Sequence, residues 1–247
     1  MTGKTHRYGG FLCSVIGFAL LRENHMLIDG ANEGLQWLMI YPFCYWGSVA
    51  SDLDHNKHAI PMKDEPSKLI NKLLHLTAPL QKSLEKSGAT KGALYKFAKL
   101  FNAKHRSWQT HSDLTFFTLL FILYCVVSGK FAMGAVDSLL LSIVLTGVII
   151  GLIAHFVLDM LTTDGVWSIL LVVLGKILRK LNPRIKQFPE KLRIVPPVHF
   201  FRTGDSWEKF VQKVLRVLNV LAMIYLLWTV FNIGSLIPYE IHFNLGG

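Results

Sequence analysis

The chain has 247 residues, of which 51% are hydrophobic and only 17% charged, and its mean hydropathy is +0.38. That composition excludes an ordinary soluble domain and a charge-rich disordered chain, and leaves an integral membrane protein. The formal charge of +10 bears, in so apolar a chain, first on which loops face the cytoplasm.

Apolar stretches run over about 8–22, 34–50, 114–129, 135–161 and 217–237, with a shorter one at 166–178. Most approach or exceed the roughly 20 residues that cross a hydrocarbon core, and the short ones predict tilt or partial insertion. The first follows Lys4 and Arg7 in the manner of a signal peptide. No small-x-small cleavage site precedes the polar "RENH", so it is expected to be retained. Between the second and third stretches lies a polar insert at about 56–104. It opens with the loop "HNKHAIPMKDEPS" and continues as "KLINKLLHLTAPL", whose apolar residues recur at helical spacing. One or two amphipathic helices on the membrane surface are expected there. A second polar insert, at about 179–207, contains four prolines and reads as loop. No strand pattern, internal repeat or low-complexity tract stands out. The fold expected is therefore all-α: a polytopic integral membrane helical bundle with amphipathic surface helices, forming one domain over 1–247.

With the N-terminus inside and 166–178 re-entrant or interfacial, all but Arg22 and Lys130 of the 26 Lys and Arg residues fall on the cytoplasmic side. The first outer hairpin instead carries Glu23, Asp29 and Glu33. The basic regions read as topogenic and as lying against anionic headgroups. Nucleic acid is not an expected partner, because Lys57–Arg106 lacks interleaved stacking aromatics. The three cysteines, Cys13, Cys44 and Cys125, lie inside apolar segments without CxxC spacing and read as packing residues.

Polar residues collect at one side of this topology. "HFVLDMLTTDG" (155–165) closes the fourth long segment, where an ionised carboxylate near the bilayer centre costs about 2.5–3.5 kcal/mol. One helical turn separates His155 from Asp159, so both face one way and can reach a single divalent cation, while Thr162 continues the stripe. His6 precedes the first segment. Asp52 and Asp54, with His55 adjacent, end the second, in a carboxylate-rich cluster suited to hard or borderline cations. "HRSWQTHS" (105–112) supplies His105, Arg106 and His111, whereas Thr110 with Asp113 reads as a capping box for the third segment. Before the last segment, "RTGDSWE" (202–208) offers Arg202 and Thr203 as a phosphate-binding turn. Asp205 with Glu208 resembles an N-terminal cap, and Glu208 is also a candidate metal ligand. His25, His58, His75, His199 and His242 receive no role.

Together, His6, "SDLDH", "HRSWQTHS", "HFVLDMLTTDG" and "RTGDSWE" resemble the YdjM-like family of bacterial inner-membrane, metal-dependent hydrolases, from Thr5 to about Glu208. Ser51 stands where that family usually has Pro. The family is in turn similar to the all-helical zinc-dependent phospholipase C and nuclease superfamily. The resemblance implies a phospholipase C-like metal-site core with His6, Asp52, Asp54, His111, His155 and Asp159 as ligands. It also implies two or three divalent ions, zinc before manganese or magnesium. The further His-x-x-x-Glu pair of the soluble enzymes has no clear match here.

The expected function is hydrolysis of a phosphoester or phosphodiester in a phospholipid or lipid-linked substrate, at the cytoplasmic face of the inner membrane. Asp52 or Asp54 would orient or deprotonate water, His105 would protonate the leaving oxygen, and Arg106 and Arg202 would hold phosphate oxygens. Membrane lipid is thus both the environment and the expected substrate. A divalent-metal transporter or sensor, and a membrane di-iron hydroxylase or desaturase, are the competing readings.

Overall fold

The computed structural model describes residues 3–28, 31–50, 52, 65–102, 110, 112–162, 165–182, 185, 188–189, 191–192 and 205–231. Among them the helices are α1 (Gly3–Glu23), α2 (Glu33–Ala50), α3 (Glu65–Leu74), α4 (Ala78–Lys86) and α5 (Ala93–Phe101), then α6 (Asp113–Val127), α7 (Ala135–Met160), α8 (Ile169–Leu181) and α9 (Ser206–Thr229). Two strands flank α8: β1 (Val166–Trp167) pairs antiparallel with β2 (Lys191–Leu192), Val166 opposite Leu192. No strand was expected, because two residues are too few to display a period of two.

Among the described residues two helices are long and apolar enough to cross a membrane, α7 with 26 residues and α9 with 24. At 1.5 Å per residue they extend about 39 and about 36 Å, beyond a hydrocarbon core of about 30 Å. α9 begins well before the apolar stretch at 217 that marks it in the sequence. Its first turns carry Glu208 and Gln212, which face α1 rather than lipid.

α1 lies against α2, α7 and α9, and α7 also packs on α2 and α6. The α2–α7 contact is a glycine seam. A Cβ on Gly151 would stand 2.2 Å from the Cys44 carbonyl oxygen, one on Gly47 2.5 Å from that of Val148, and one on Gly147 2.7 Å from that of Ile40. Backbone against backbone is how helices associate where lipid offers no hydrophobic gain. Beside the seam, Val15 and Phe18 of α1 pack with Trp37, Ile40 and Cys44 of α2 and with Ala222 and Leu226 of α9. The outward faces are apolar too: Phe117 and Phe121, Leu139 and Leu140, and Val217, Leu221 and Trp228 are all exposed. Such a surface is foreign to a water-soluble monomer.

Among the described residues the first polar insert holds three short helices, α3, α4 and α5, where one or two were expected. α4 and α5 are tied by Thr77 Oγ1 donating to the Ala98 carbonyl (2.9 Å) and Asn102 Nδ2 donating to Gln81 Oε1 (2.7 Å). At the far end of the bundle, Gln36 closes the α1–α2 connection. Its Oε1 accepts from Ile28 N (2.8 Å), and its Nε2 donates to the carbonyls of Ile28 and Ala31 (both 3.1 Å). Arg22 pairs there with Glu33 at 3.1 Å. Cys44 and Cys125 are buried, Cys13 is partly so, and all three are free thiols.

Candidate metal centre

Four parts of the chain converge at the end opposite that connection: the start of α1, Asp52 just after α2, the end of α7 and the start of α9. α1 and α9 run parallel there, since Thr5 bonds Glu208 and Gln212 while Tyr8 bonds Arg216 and Asn219. α7 brings His155 and Asp159 to this level because its glycine seam admits α2 to backbone distance. The closeness delivers the Ser48 carbonyl to His155.

His6, His155 and Asp159 are fully buried, and each offers a donor atom within 4.8 Å of the others. The two imidazoles stack, with centroids 3.9 Å apart and planes inclined by 15°. His6 Nε2 lies 3.5 Å from Asp159 Oδ1, and His155 Nε2 lies 3.3 Å from Asp159 Oδ2. Asp52, nearly buried, places Oδ1 3.9 Å from the same His155 Nε2.

The tautomer of His155 follows from its other nitrogen. Nδ1 is 2.8 Å from the Ser48 carbonyl, and a carbonyl only accepts, so Nδ1 carries the proton. In the neutral ring Nε2 then turns its lone pair toward two carboxylates, an arrangement that could take a cation. Histidine ligands of metals characteristically give their second N–H to a backbone carbonyl in this way. Both His6 nitrogens are buried without a hydrogen bond of good geometry among the described residues, the nearest acceptor being Asp159 Oδ1 at 3.5 Å, so a lone pair is available to a cation. Donors about 2.0–2.1 Å from a tetrahedral zinc lie about 3.3 Å from one another. The separations of 3.3 and 3.5 Å, one to each Asp159 oxygen, are near that edge length, and with one donor atom from each residue within 4.8 Å of the others the set could hold a divalent ion.

Other sequence candidates fall elsewhere. Glu208 is buried, but its Oε1 accepts from Thr5 Oγ1 at 2.5 Å, and Thr5 Oγ1 in turn accepts from Gln212 Nε2 at 2.9 Å. This chain clamps α9 onto the residue before His6. Asp205 does occupy the N-cap of α9, without a side-chain cap bond. Thr162, buried beside the cluster, donates to the Asp159 carbonyl at 2.7 Å and finishes α7. The capping box assigned to Thr110 and Asp113 is corrected: the N-cap of α6 is Ser112, with no side-chain cap bond. Asp113 instead caps α8, accepting from Ser168 Oγ (2.6 Å) and Ile169 N (2.8 Å). Spacing within one segment cannot reveal a cap that serves another helix.

Asp54, His55, His105, Arg106, His111, Arg202 and Thr203 lie outside the described residues. Missed by sequence reasoning were the Ser48 carbonyl, which has no sequence signal, and the Thr5–Gln212 clamp. Gly147 and Gly151, by contrast, form a small-xxx-small pattern that could have located the α7 packing face.

A family model described as YdjM inner membrane protein matches residues 1–184, the span that carries α1 to α8 and the His6, His155, Asp159 and Asp52 donors. Neither a curated protein nor a solved structure matches the chain. With most of its length matched, and with two apolar helices that fit a membrane protein, the chain belongs to the YdjM inner membrane protein family.

Proposed function

We propose that this protein is a metal-dependent hydrolase of the inner membrane that cleaves a phosphoester in a phospholipid or lipid-linked substrate at the cytoplasmic face. The observation that carries the reading is His155: its Nδ1 proton is committed to the Ser48 carbonyl while its Nε2 faces Asp159 and Asp52. His6, His155 and Asp159 would hold the metal with Asp52 beside them, and zinc suits this mixed N/O set. A divalent ion there supplies Lewis-acid activation of water and phosphate.

The protein's own groups divide the remaining work. Asp52, at the rim and slightly exposed, orients water or takes its proton, with Asp54 two residues on as the other candidate. His105 donates a proton to the leaving oxygen, and Arg106, Arg202 and Thr203 hold phosphate oxygens. His55 and His111 are further ligand candidates, and a second or third ion would draw on them and on Asp54.

The test is metal content of the purified protein, followed by phosphodiester hydrolysis in lipid-containing micelles. Asp159→Asn and His6→Ala are expected to lose most of the bound metal together with the activity. Full metal content in both variants overturns the centre. Metal bound by the wild type without turnover of any phospholipid overturns the hydrolase and favours a transporter or sensor.

A further inference from the structure

On the face of α1 turned away from His6, a cleft of about 560 Å³ opens between α1, α2 and α9, lined by Lys4, Arg7, Tyr41, Tyr45, Asn219 and Met223 among others. Its polar groups are incompletely matched. The Arg7 guanidinium lies 5.5 Å over the Tyr45 ring, and its Nε is buried with no hydrogen-bond partner among the described residues. Among the described residues neither half-buried Arg7 nor exposed Lys4 has a carboxylate partner, so the buried Arg7 Nε–H has no acceptor. Asn219 donates through Nδ2 to the Tyr8 carbonyl at 3.1 Å, which fixes the amide orientation. Its Oδ1 is buried and also without a partner among the described residues. One rim of the cleft thus lacks an anion and a donor.

The remainder is apolar and ordered by depth. Phe11 sits edge-on to Tyr41 with centroids 5.7 Å apart, one turn further from the charged end than Arg7 and Tyr45, and Met223 lies one turn beyond Asn219. A cationic rim beside an aromatic and aliphatic channel is complementary to one kind of molecule. We propose that the cleft binds a single anionic glycerophospholipid. Its phosphate rests on Lys4 and Arg7, a headgroup hydroxyl donates to Asn219 Oδ1, and an acyl chain runs past Phe11, Tyr41 and Met223. This lipid is a resident of the fold rather than the substrate, because successive helix positions 100° apart carry Arg7 and His6 to different faces of α1. By holding α1 between α2 and α9, it would steady the helix that presents His6 to the metal centre.

Delipidated protein in detergent, titrated with phosphatidylglycerol, phosphatidylcholine or inorganic phosphate and followed by thermal unfolding, tests the assignment. Phosphatidylglycerol is expected to raise Tm at a concentration about tenfold lower than phosphatidylcholine requires, the worth of one charge-assisted contact, and phosphate alone is expected to leave Tm unchanged. Arg7→Gln and Asn219→Leu should abolish the preference while metal content stays at the wild-type level, and Lys209→Gln, an exposed charge on α9, should retain it. If Arg7→Gln does not fold, Lys4→Gln, at an exposed position, should weaken the preference about fivefold. Equal response to the two lipids, an undiminished preference in Lys4→Gln and in every folded cleft variant, or a phosphate effect as large as that of phosphatidylglycerol overturns the proposal.

Discussion

Ser48 contributes to the candidate centre through its carbonyl. Its hydroxyl is spent on the Tyr45 carbonyl at 2.8 Å, while its own carbonyl orients His155. Ser48→Ala should therefore retain wild-type metal content, whereas His155→Gln, which cannot both keep that bond and present a donor to the same point, should lose at least about tenfold in metal affinity, the scale of lost ligand or orienting contacts; equilibrium dialysis of both variants measures the contrast. Protons compete for the same atoms. Imidazoles must be neutral and the carboxylate ionised to act as ligands, so acidification should release metal and return to neutral pH should restore it. At this scale the sequence was partly legible. His155 and Asp159 announce themselves because one helical turn is a local relation, but the stacking of His6 on His155 belongs to the packing of α1 on α7, and Thr5 and Glu208 are 203 positions apart. Asp113 teaches the same lesson in reverse, since local spacing named it a cap for α6 and tertiary structure gave it to α8. Asp113→Ala leaves Ser168 Oγ and Ile169 N without their acceptor, and should cost about 1–3 kcal/mol in chemical or thermal unfolding.

Between elements, the α2–α7 seam governs where the centre can form. Hydropathy alone located α1, α2, α6, α7 and α8 to within a few residues, because apolar runs bounded by turns are a local property. It placed the start of α9 too late, because Glu208, Gln212 and Arg216 interrupt the apolar run and are accounted for only by the neighbouring α1. The seam itself was written in the sequence as Gly147 and Gly151, but its partner on α2 was not, since any small residue on any other helix could have answered. Gly151→Leu drives a side chain into the Cys44 carbonyl and must separate the helices. Overpacking of this kind costs about 1–3 kcal/mol or more, and the separation also withdraws the Ser48 carbonyl from His155. Loss of metal and lowered thermal stability are expected together. Gly92→Ala is the matched control: a Cβ there meets nothing within 4 Å, so metal content should be unchanged, and stability should fall only by the small cost of alanine at the α5 N-cap.

For the whole molecule, the decisive asymmetry is between its two ends. The cluster of His6, His155 and Asp159 sits where α1 and α9 begin and where α2 and α7 finish, while the connections closed by Gln36 and by the Ser128–Gly134 turn lie at the other end. The topology expected from the sequence divides the charge: in it only Arg22 and Lys130 of the 26 Lys and Arg fall on the outer side, and Lys130 is stacked 4.6 Å over Tyr124. Because positive charge is retained on the cytoplasmic side during insertion, the site should face the cytoplasm, and a lipid headgroup or lipid-linked phosphate would reach it from the inner leaflet. Single cysteines introduced as Lys130→Cys and Lys86→Cys, in a background with Cys13, Cys44 and Cys125 replaced by Ala, separate the orientations. A membrane-impermeant maleimide applied to intact spheroplasts should label position 130 and spare position 86, and permeabilisation should expose both. The reverse pattern would put the metal centre in the periplasm, where a cytoplasmic-leaflet substrate could not meet it, and labelling of both positions before permeabilisation would remove the membrane-crossing topology on which the lipid assignment stands.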